Sequence, residues 1–469
     1  MHIERPQQAT PHLQTTRMAT QPTTDAPTLM SAAETHSDAR TYRRARFIVA
    51  LLLGAYVISF LDRQILALMV KPIRADLGIS DTQMSLLMGI AFSLFYSLFG
   101  IPIARLADRF SRRGVIVSGM ALWCLATAAC GLAQRYVSLF LARVGVGVGE
   151  AALSPAAYSL ISDCFPAQKR ASAISWYSTG TSIGAGLALL AGGALIHVAP
   201  ALELPLIGAV KPWQTVFMVL GVIGLLYCPL LLLIGEPARC RDTLAPAEKA
   251  SMWTVLGDNK RTLALHHLGF ALFMLAAYGS AAWVPVYFMR VQGWTPAQVG
   301  LVYGIVIAIF GTLGMIVGGA IADKWFRRGR IHACLQVSSI AALVTIPFAV
   351  GVVFAGDIRV QVACLAIATF TFNVPIGLGP AAIQEIVPPR ARAQSSAIFL
   401  LVMNLIGQGL GPTAVALFTD HVFGRDSAVG LSLIVVNIGA LLLAALLLAL
   451  GCRPYRESYR RLRASSSGI

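Results

Sequence analysis

The sequence predicts an all-α integral membrane protein in which twelve transmembrane helices form two pseudo-symmetric bundles of six. Three observations support this fold class: a strongly apolar composition, twelve apolar runs of spanning length, and a basic motif that occurs once in each half. Of the 469 residues, 57% are hydrophobic and 12% are charged, and the mean hydropathy is +0.71. A soluble domain carries about 25% charged residues, so the composition indicates a chain that lies mostly in a lipid bilayer.

Each apolar run is long enough for one helix to cross a bilayer, which takes about 20 residues. The runs are apolar throughout, whereas the strands of a membrane barrel would alternate apolar and polar residues. The predicted spans are 47–70, 82–104, 115–133, 137–161, 171–197, 214–234, 262–289, 296–322, 331–355, 360–384, 395–419 and 429–451.

The distribution of basic residues predicts the orientation of the spans. With both termini in the cytoplasm, 28 of the 37 Lys and Arg residues fall in cytoplasmic segments, 7 in the opposite loops and 2 inside spans. Because cytoplasmic loops carry such an excess, we predict a multi-pass protein of the inner (cell) membrane with both termini cytoplasmic. The same bias accounts for the net charge of +16 without nucleic acid as a partner.

Composition divides the chain into five segments. Residues 1–45 are rich in Thr, Ala, Pro and Gln and are predicted to form a disordered cytoplasmic tail. Two six-helix bundles follow at 46–234 and 262–452, joined by a cytoplasmic linker of mixed charge at 235–261. A basic, Ser-rich cytoplasmic tail, also predicted to be disordered, occupies 453–469.

Two short basic segments resemble each other. "ARLADRFSRRG" follows the second span and "GAIADKWFRRGR" follows the eighth, so Asp108 corresponds to Asp323, 215 residues later. Two six-span halves in one orientation are the parallel repeats of a large class of transporters. An acidic residue at a helix end is stabilised by the positive N-terminus of a neighbouring helix, and the arginines can pair with nearby carboxylates. We therefore predict a cytoplasmic gate formed by Asp108, Arg109, Arg112, Asp163, Asp323, Arg327 and Glu385.

These segments resemble the signature between spans two and three of the major facilitator superfamily, G-x-x-x-D-R/K-x-G-R-R/K. The first copy departs from it at Ala104 and Ser111, and the second at Phe326, where the signature has glycine. The resemblance implies the major facilitator fold over all twelve spans and a secondary transporter that works by alternating access. In that family, the contacts of this segment hold the two halves together while the transporter faces outward.

Four charged residues lie inside the predicted spans, all in the first half: Asp62 and Arg63 in the first span, Arg143 and Glu150 in the fourth. A charge near the bilayer centre costs about 2.5–3.5 kcal/mol, or roughly 10 kcal/mol for all four before pairing, which favours a functional role over chance. At 1.5 Å per residue, Asp62 and Arg143 lie at nearly the same depth. We expect an ion pair between them if the two helices are neighbours, with Glu150 roughly 10 Å deeper.

These charges suggest proton coupling. A carboxyl group in a dehydrated cavity can be neutral, whereas an arginine keeps its charge and suits anion binding. Protonation of Asp62 or Glu150 would release Arg63 or Arg143 to hold an anion, and deprotonation would reverse the step. The hypothesis assigns proton coupling to the two carboxyl groups and substrate binding to the two arginines.

Other candidate motifs are better explained by helix packing. Gly145, Gly147 and Gly149 mimic a phosphate-binding loop, but no strand precedes them and they lie inside an apolar span, so nucleotide binding is disfavoured. Small residues let membrane helices approach closely, and we predict that role for them. The eight cysteines show no metal-ligand spacing, and we predict no metal, no cofactor and no enzymatic activity. A sensor would need a folded domain outside the membrane, whereas the longest connection has about 27 residues.

The second half carries no charge inside its spans, and its candidate cavity residues are polar or aromatic. Those predicted to bind substrate are Tyr278, Trp283, Asn373 and Asn404. A cavity that is charged in one half and largely apolar and aromatic in the other fits an amphiphile with an acidic head group. We expect the chain to act as a monomer on such a small-molecule or lipid-like anion.

Three stretches resemble the bacterial relatives of the spinster subfamily: "SFLDRQIL", "GIPIARLADRFSRR" and "RVGVGVGEAALSPAAYSLISDCFP". Animal members of that subfamily move sphingosine phosphates and lysophospholipids. The resemblance matches at Asp62, Arg63, Arg143 and Glu150, and it implies proton coupling through the two acidic residues with the arginines near a lysolipid-type head group. The anion:cation symporters resemble the chain at the same positions, so a proton symporter that imports a small carboxylate or sugar acid is the alternative.

Overall fold

The computed structural model describes residues 32–165, 173–174, 176–198, 200, 202–204, 208–236, 257–388 and 392–467. The chain divides into two units, Met1–Arg44 and Ala45–Ile469. Within the described part, twelve helices are long and apolar enough to cross a membrane, which confirms the predicted fold class. These spans, numbered 1 to 12 in chain order, are Tyr42–Leu68, Asp81–Ala107, Arg112–Cys130, Tyr136–Cys164, Trp176–Ile196, Pro212–Leu231, Lys260–Arg290, Pro296–Arg327, Ala333–Phe354, Ile358–Ile386, Ser395–Phe423 and Asp426–Ala464.

Several spans consist of more than one helical segment. The α-helices are Ala32–Leu68, Val70–Leu77, Asp81–Met88, Ile90–Arg109, Arg112–Cys130, Tyr136–Glu150, Leu153–Cys164, Gly180–Val198, Pro212–Leu231, Lys260–Arg290, Pro296–Val306, Thr312–Arg327, Ala333–Phe354, Ile358–Asn373, Leu378–Ile386, Arg392–Val402, Gly411–Leu417 and Val429–Ser467. Wider, π-helical turns interrupt span 8 at Ile307–Gly311 and span 11 at Met403–Leu410 and Phe418–Phe423, and a 3₁₀ turn at Asp426–Ala428 opens span 12. π-Helical turns occur often at functional sites.

Successive spans alternate in direction, so their ends lie at two faces. We call the face with the connections between spans 2 and 3 and between spans 8 and 9 the terminal face, and the opposite one the distal face. At the distal face, the connection between spans 5 and 6 contains a small antiparallel hairpin, in which strand Leu202–Leu204 pairs with strand Gly208–Val210.

The internal repeat is visible in how corresponding helices begin. Ser80 caps the first helix of span 2 by accepting a bond from the backbone of Gln83, whose side chain bonds back to Ser80. Thr295 and Gln298 form the same reciprocal cap at the start of span 8. The two caps have the same separation in sequence as Asp108 and Asp323, as expected for two copies of one unit.

The ends of the bundle differ from the predicted tails. Residues 32–45 are helical, since the first helix begins at Ala32, and the last helix continues to Ser467. Tyr455 and Ser458 explain the second difference, because both are buried and bond to Ala382 and Thr262. Residues 1–31 and most of the predicted linker, 237–256, lie outside the described residues.

Glycines bring the two halves of the bundle into backbone contact along two seams. A Cβ atom added at Gly300 in span 8 would lie 2.2 Å from the carbonyl oxygen of Leu189 in span 5. In the other seam, a Cβ at Gly89 in span 2 would lie 2.6 Å from the carbonyl oxygen of Gly409 in span 11. Neither position has room for a side chain, so close packing of the halves here depends on glycine.

Candidate functional site

Arg63 and Glu150 form an ion pair between spans 1 and 4. Nε and one terminal nitrogen of Arg63 both donate to the same carboxylate oxygen, Oε2, and the Nε bond is 2.7 Å long. Ser59, one turn before Arg63, donates its hydroxyl to that oxygen at 2.9 Å. The other oxygen, Oε1, is buried without a hydrogen-bond partner in the described part of the chain. Glu150 thus has one oxygen with three donors and one with none.

Aromatic rings surround the guanidinium group of Arg63. Its central carbon lies 4.4 Å from the ring centroid of Phe92, 4.9 Å from that of Phe60 and 5.3 Å from that of Tyr96. Such cation–π contacts contribute about 0.5–2 kcal/mol each, so they stabilise a charge whose side chain is only 15% exposed. Tyr278, from span 7, lies within electrostatic range of the same guanidinium.

A second group of rings extends the site along the first half. Tyr56 stacks on Tyr177 with ring centroids 4.7 Å apart, and Tyr158 contacts the edge of Tyr177 at 5.5 Å. These tyrosines were missed in the sequence, where the aromatic side of the cavity was expected only in the second half. A signal was present, since Tyr56, Phe60 and Arg63 recur at i, i+4 and i+7 and share one helix face.

The expected ion pair between Asp62 and Arg143 is not formed. Arg143 donates to the backbone carbonyl of Asp62 at 3.3 Å and to that of Leu87 at 3.5 Å. The carboxylate of Asp62 instead accepts a 2.9 Å bond from Thr127 in span 3 on Oδ2, while Oδ1 is buried without a partner among the described residues. The two residues do lie at one depth, but the rotation of span 1 directs the carboxylate toward span 3.

The glycines of span 4 pack closely against neighbouring helices, as predicted from their small size. A Cβ at Gly147 would lie 2.6 Å from the carbonyl oxygen of Phe92, and one at Gly149 would lie 2.6 Å from the backbone nitrogen of Trp123. Span 4 therefore packs directly on the backbones of spans 2 and 3. Glu150 directly follows Gly149 in this packed stretch and pairs with Arg63 of span 1.

The candidates in the second half have different environments. Tyr278 and Asn404 are partly exposed, and Asn404 lies in the π-helical turns of span 11. Asn373 is also partly exposed, but its amide donates to the carbonyl of Thr369 at 2.7 Å within its own helix. Trp283 is fully buried, and its indole nitrogen donates to the carbonyl of Pro412 at 2.8 Å. Trp283 thus packs the core of the second half in this conformation, contrary to its expected place at the cavity surface.

At the terminal face, Arg112 connects three segments of the first half. Its side chain pairs with Asp163 and bonds to Ser159 at 3.0 Å, and its backbone nitrogen donates to Glu236 at 2.8 Å. Burial alone would raise the pKa of Glu236, but hydrogen bonds from Ser111 and Arg112 outweigh that effect and lower the pKa of this carboxyl.

The other predicted gate residues do not join the two halves here. Arg109, Asp323, Arg327 and Glu385 are exposed and take part in no ion pair within the described residues, and the side chain of Asp108 lies outside them. The described ion pairs of this face, like the local pair between Arg453 and Glu457, each stay within one half. The cytoplasmic gate therefore stays a prediction.

A groove of about 520 Å³ lies between spans 2, 3 and 4 near the terminal face. Its walls are mostly apolar, with Leu106, Phe110 and Leu122 exposed along it. None of the four buried charges lines this groove. The polar contacts around Arg63 therefore define the candidate site better than the groove does.

The sequence model of the Major Facilitator Superfamily matches residues 52–412, which include both halves of the bundle. The chain belongs to the major facilitator superfamily. Its members are transporters, so the chain is a membrane transporter with the fold predicted from the duplicated motif.

Three relatives narrow the comparison. An MFS-type efflux pump of Mycolicibacterium smegmatis (strain ATCC 700084 / mc(2)155) is 28% identical over 427 residues, covering 90% of this chain and 96% of the relative. A probable L-galactonate transporter of Escherichia coli (strain K12) is 29% identical over 301 residues, covering 60% of this chain and 61% of the relative. The crystal structure of a bacterial homolog of the human lysosomal transporter spinster, inward-facing and unoccupied, is 25% identical and superposes with a TM-score of 0.74, covering 89% of this chain and 97% of that one. The resemblance to spinster proteins is confirmed.

Proposed function

We propose that this transporter couples proton movement to that of an organic anion or anionic amphiphile of the lysolipid type. The observation that carries the proposal is the ion pair between Arg63 and Glu150, in which aromatic side chains surround the guanidinium group. A substrate anion and the Glu150 carboxylate would compete for the same nitrogens, because an arginine binds carboxylates and phosphates through its planar fork.

Protonation of Glu150 provides the switch between the two partners. The proton would bind Oε1, which is buried without a partner in the described chain, and the neutral carboxyl would release the guanidinium. Asp62, on span 1, offers a second such oxygen, Oδ1. In this scheme Glu150 and Asp62 carry the proton, and Arg63 holds the anion with Arg143 beside it.

The surroundings of Arg63 support a substrate with both acidic and apolar parts. The tyrosines and phenylalanines that extend from it offer apolar surface with polar edges, and Tyr278 is the aromatic residue predicted to contribute from the second half. The chain is also similar to a bacterial spinster homolog and to an MFS-type efflux pump.

The alternative is a symporter that imports a small carboxylate or sugar acid. One observation favours it, the similarity to a probable L-galactonate transporter. Such a substrate would use Arg63 and Arg143 but would leave most of the aromatic surface without contacts.

The experiment that tests both proposals uses purified protein in proteoliposomes with an imposed pH gradient. Flux of a fluorescent lysophospholipid and of gluconate is measured for the natural chain, Glu150→Gln and the control Glu203→Gln, which neutralises an exposed carboxylate of the distal hairpin. We expect gradient-driven lysophospholipid flux that falls at least about tenfold in Glu150→Gln, as for loss of a buried charged partner, and stays unchanged in Glu203→Gln. Full proton-dependent flux in Glu150→Gln would contradict the coupling, and flux of gluconate alone would favour the alternative.

We also propose that the protein is a monomer of the inner membrane with its terminal face in the cytoplasm. The excess of Lys and Arg in the segments at that face supports this orientation. Fusion of a reporter that is active only in the cytoplasm to the C-terminus tests it, and an inactive reporter on folded protein would reverse the assignment.

A further inference from the structure

Charged residues from both halves meet at the distal face, at a place the sequence analysis did not single out. Asp81, at the start of span 2, is completely buried and pairs with Arg290 at the end of span 7 through two bonds of 2.6 and 3.0 Å. Arg74 pairs with Asp81 at 2.9 Å and with Asp426, at the start of span 12, at 2.7 Å. Asp81 thus shares its carboxylate between an arginine of its own half and one of the other half.

Asp420 adds a contact of a different kind. Its carboxylate accepts bonds of 2.7 Å from both the backbone nitrogen and the hydroxyl of Thr82. Thr82 lies in the first turn of the helix Asp81–Met88, where unpaired backbone N–H groups and the helix dipole favour a negative charge. A side chain of the second half therefore caps a helix of the first half. We call Arg74, Asp81, Thr82, Arg290, Asp420 and Asp426 the distal cluster.

Span 11 extends from the distal cluster into the bundle. Asp420 belongs to the π-helical turns Phe418–Phe423, and the second π-helical stretch, Met403–Leu410, contains Gly409, whose carbonyl meets Gly89 of span 2. Between them, the hydroxyls of Ser85 and Thr413 lie 3.4 Å apart. Contacts between the halves therefore extend from the distal face into the bundle. The two π-helical stretches of span 11 lie at the two ends of this line of contacts.

We propose that the distal cluster is a reversible latch that keeps the transporter closed at the distal face, with span 11 as the element that moves when the latch opens. The described ion pairs that join the two halves belong to this cluster, whereas those of the terminal face stay within one half. An alternating-access protein in this arrangement is closed distally, and its opening must separate Asp81 from Arg290, Arg74 from Asp426, and Thr82 from Asp420.

The arrangement lets these contacts break without leaving an unpaired charge buried. When the two halves separate, Asp81 remains paired with Arg74, because both residues belong to the first half and lie close together in sequence. Arg290 and Asp426 lie at the membrane surface, where the side chain of Asp426 is already 56% exposed, so water can solvate both. A buried charge left without a partner would make opening strongly unfavourable, and this geometry avoids it.

The test follows access to a thiol placed under the latch. Ser85→Cys introduces a reporter at a buried position, and a membrane-impermeant maleimide is added to sealed vesicles of each orientation, so that it reaches one face at a time. Mass spectrometry of the reporter peptide separates its labelling from that of the eight natural cysteines. If the open state is a minor population, the labelling rate from the distal side follows that population.

Removing a contact that joins the halves should raise this rate. We expect Asp81→Asn and Asp420→Asn to increase distal labelling about tenfold or more. The matched control is Asp76→Asn, which removes a carboxylate of the same face that pairs with Lys211 and Trp213 inside the first half; it should leave the rate within about twofold. Labelling of Asp81→Asn and Asp420→Asn at the rate of the control would overturn the proposal.

A second pair of variants tests the latch without changing charge. Gly89→Ala places a methyl group against the backbone of Gly409 and should also open the distal side, whereas Gly100→Ala, in open space on the same span, should not. A Gly89→Ala protein that stays monodisperse and labels no faster than Gly100→Ala would count against the role of span 11. Both tests need no substrate, so their outcome is independent of whether the proposed anion is transported.

Discussion

Arg63 and Glu150 meet at a single oxygen atom: two nitrogens of the arginine and the hydroxyl of Ser59 all donate to Oε2, while Oε1 has no partner among the described residues. A carboxylate held in this way keeps its partner tightly and still has a place for a proton.

Replacing Arg63 by lysine should weaken anion binding although the charge is kept. A lysine offers one compact ammonium group, which cannot place two nitrogens on one oxygen or stack on Phe92. We expect anion affinity to fall about tenfold, as for the loss of one charge-assisted bond, measured by isothermal titration calorimetry. The matched control is Arg135→Lys at an exposed distal position. Equal affinity in Arg63→Lys and the control would show that this arginine does not contact the anion.

Thr127 is predicted to support the buried carboxylate of Asp62. Thr127→Val keeps the shape of the side chain but removes the donor, so neither carboxylate oxygen would have a partner. We expect a loss of about 1–3 kcal/mol in stability, seen as a lower melting temperature of the purified protein. Thr127→Ser retains the hydroxyl and should restore most of the loss; if the serine variant melts as low as the valine variant, packing of the methyl group explains the effect instead.

Substitutions of Trp283 and Tyr278 should have different effects, the first on the stability of the protein and the second on its affinity for the anion. Trp283→Phe loses the bond to the carbonyl of Pro412 and should lower stability by about 1–3 kcal/mol without changing the affinity of the folded protein for the anion. Tyr278→Ala removes the aromatic ring predicted to bind substrate from the second half and should instead lower the affinity. Calorimetry and thermal unfolding of both variants check this. An affinity loss confined to Trp283→Phe would instead support the original prediction that Trp283 binds substrate.

The lowered pKa of Glu236 predicts that the stability of the fold depends on pH. Its pKa is lowered in the folded protein, so its bonds to Ser111 and Arg112 stabilise the fold at pH values above the unfolded pKa. An unperturbed glutamate has a pKa of about 4.3, and the stabilisation should disappear as the pH falls through the lower, folded value. We expect the natural chain to melt higher than Glu236→Gln at pH 7 and the difference to vanish once the pH has fallen below the lowered pKa of the folded state. A difference that is constant with pH would mean that the contact does not depend on ionisation.

Much of this architecture follows from one-dimensional patterns. The spans could be predicted because the bilayer imposes a length on every helix, and the repeat because its charges must stay outside the lipid. The glycines of span 4 could also be interpreted correctly, since a phosphate loop needs a strand before it and Gly147 and Gly149 have none. Each of these arguments uses the position of a residue along its helix.

The errors concern rotation and borders. Depth along two straight helices placed Asp62 beside Arg143 but left open which way each side chain turns, and the rotation of span 1 directs the Asp62 carboxylate to Thr127 of span 3. The distal cluster was missed because the predicted second span began at residue 82, one position after Asp81. Trp283 could not be assigned to the core from its identity, because aromatic residues serve equally in cavities and in packing.

The last helix offers a practical handle on the moving parts. At 1.5 Å per residue, its 39 residues extend about 58 Å, well beyond the roughly 30 Å of hydrocarbon, and Tyr455 and Ser458 fasten its extension to spans 10 and 7. A fluorophore attached near residue 467 would therefore report the position of a continuous helix of the second half, and not that of a flexible chain end. Small rocking motions inside the membrane would appear at that point as displacements large enough to follow in single molecules.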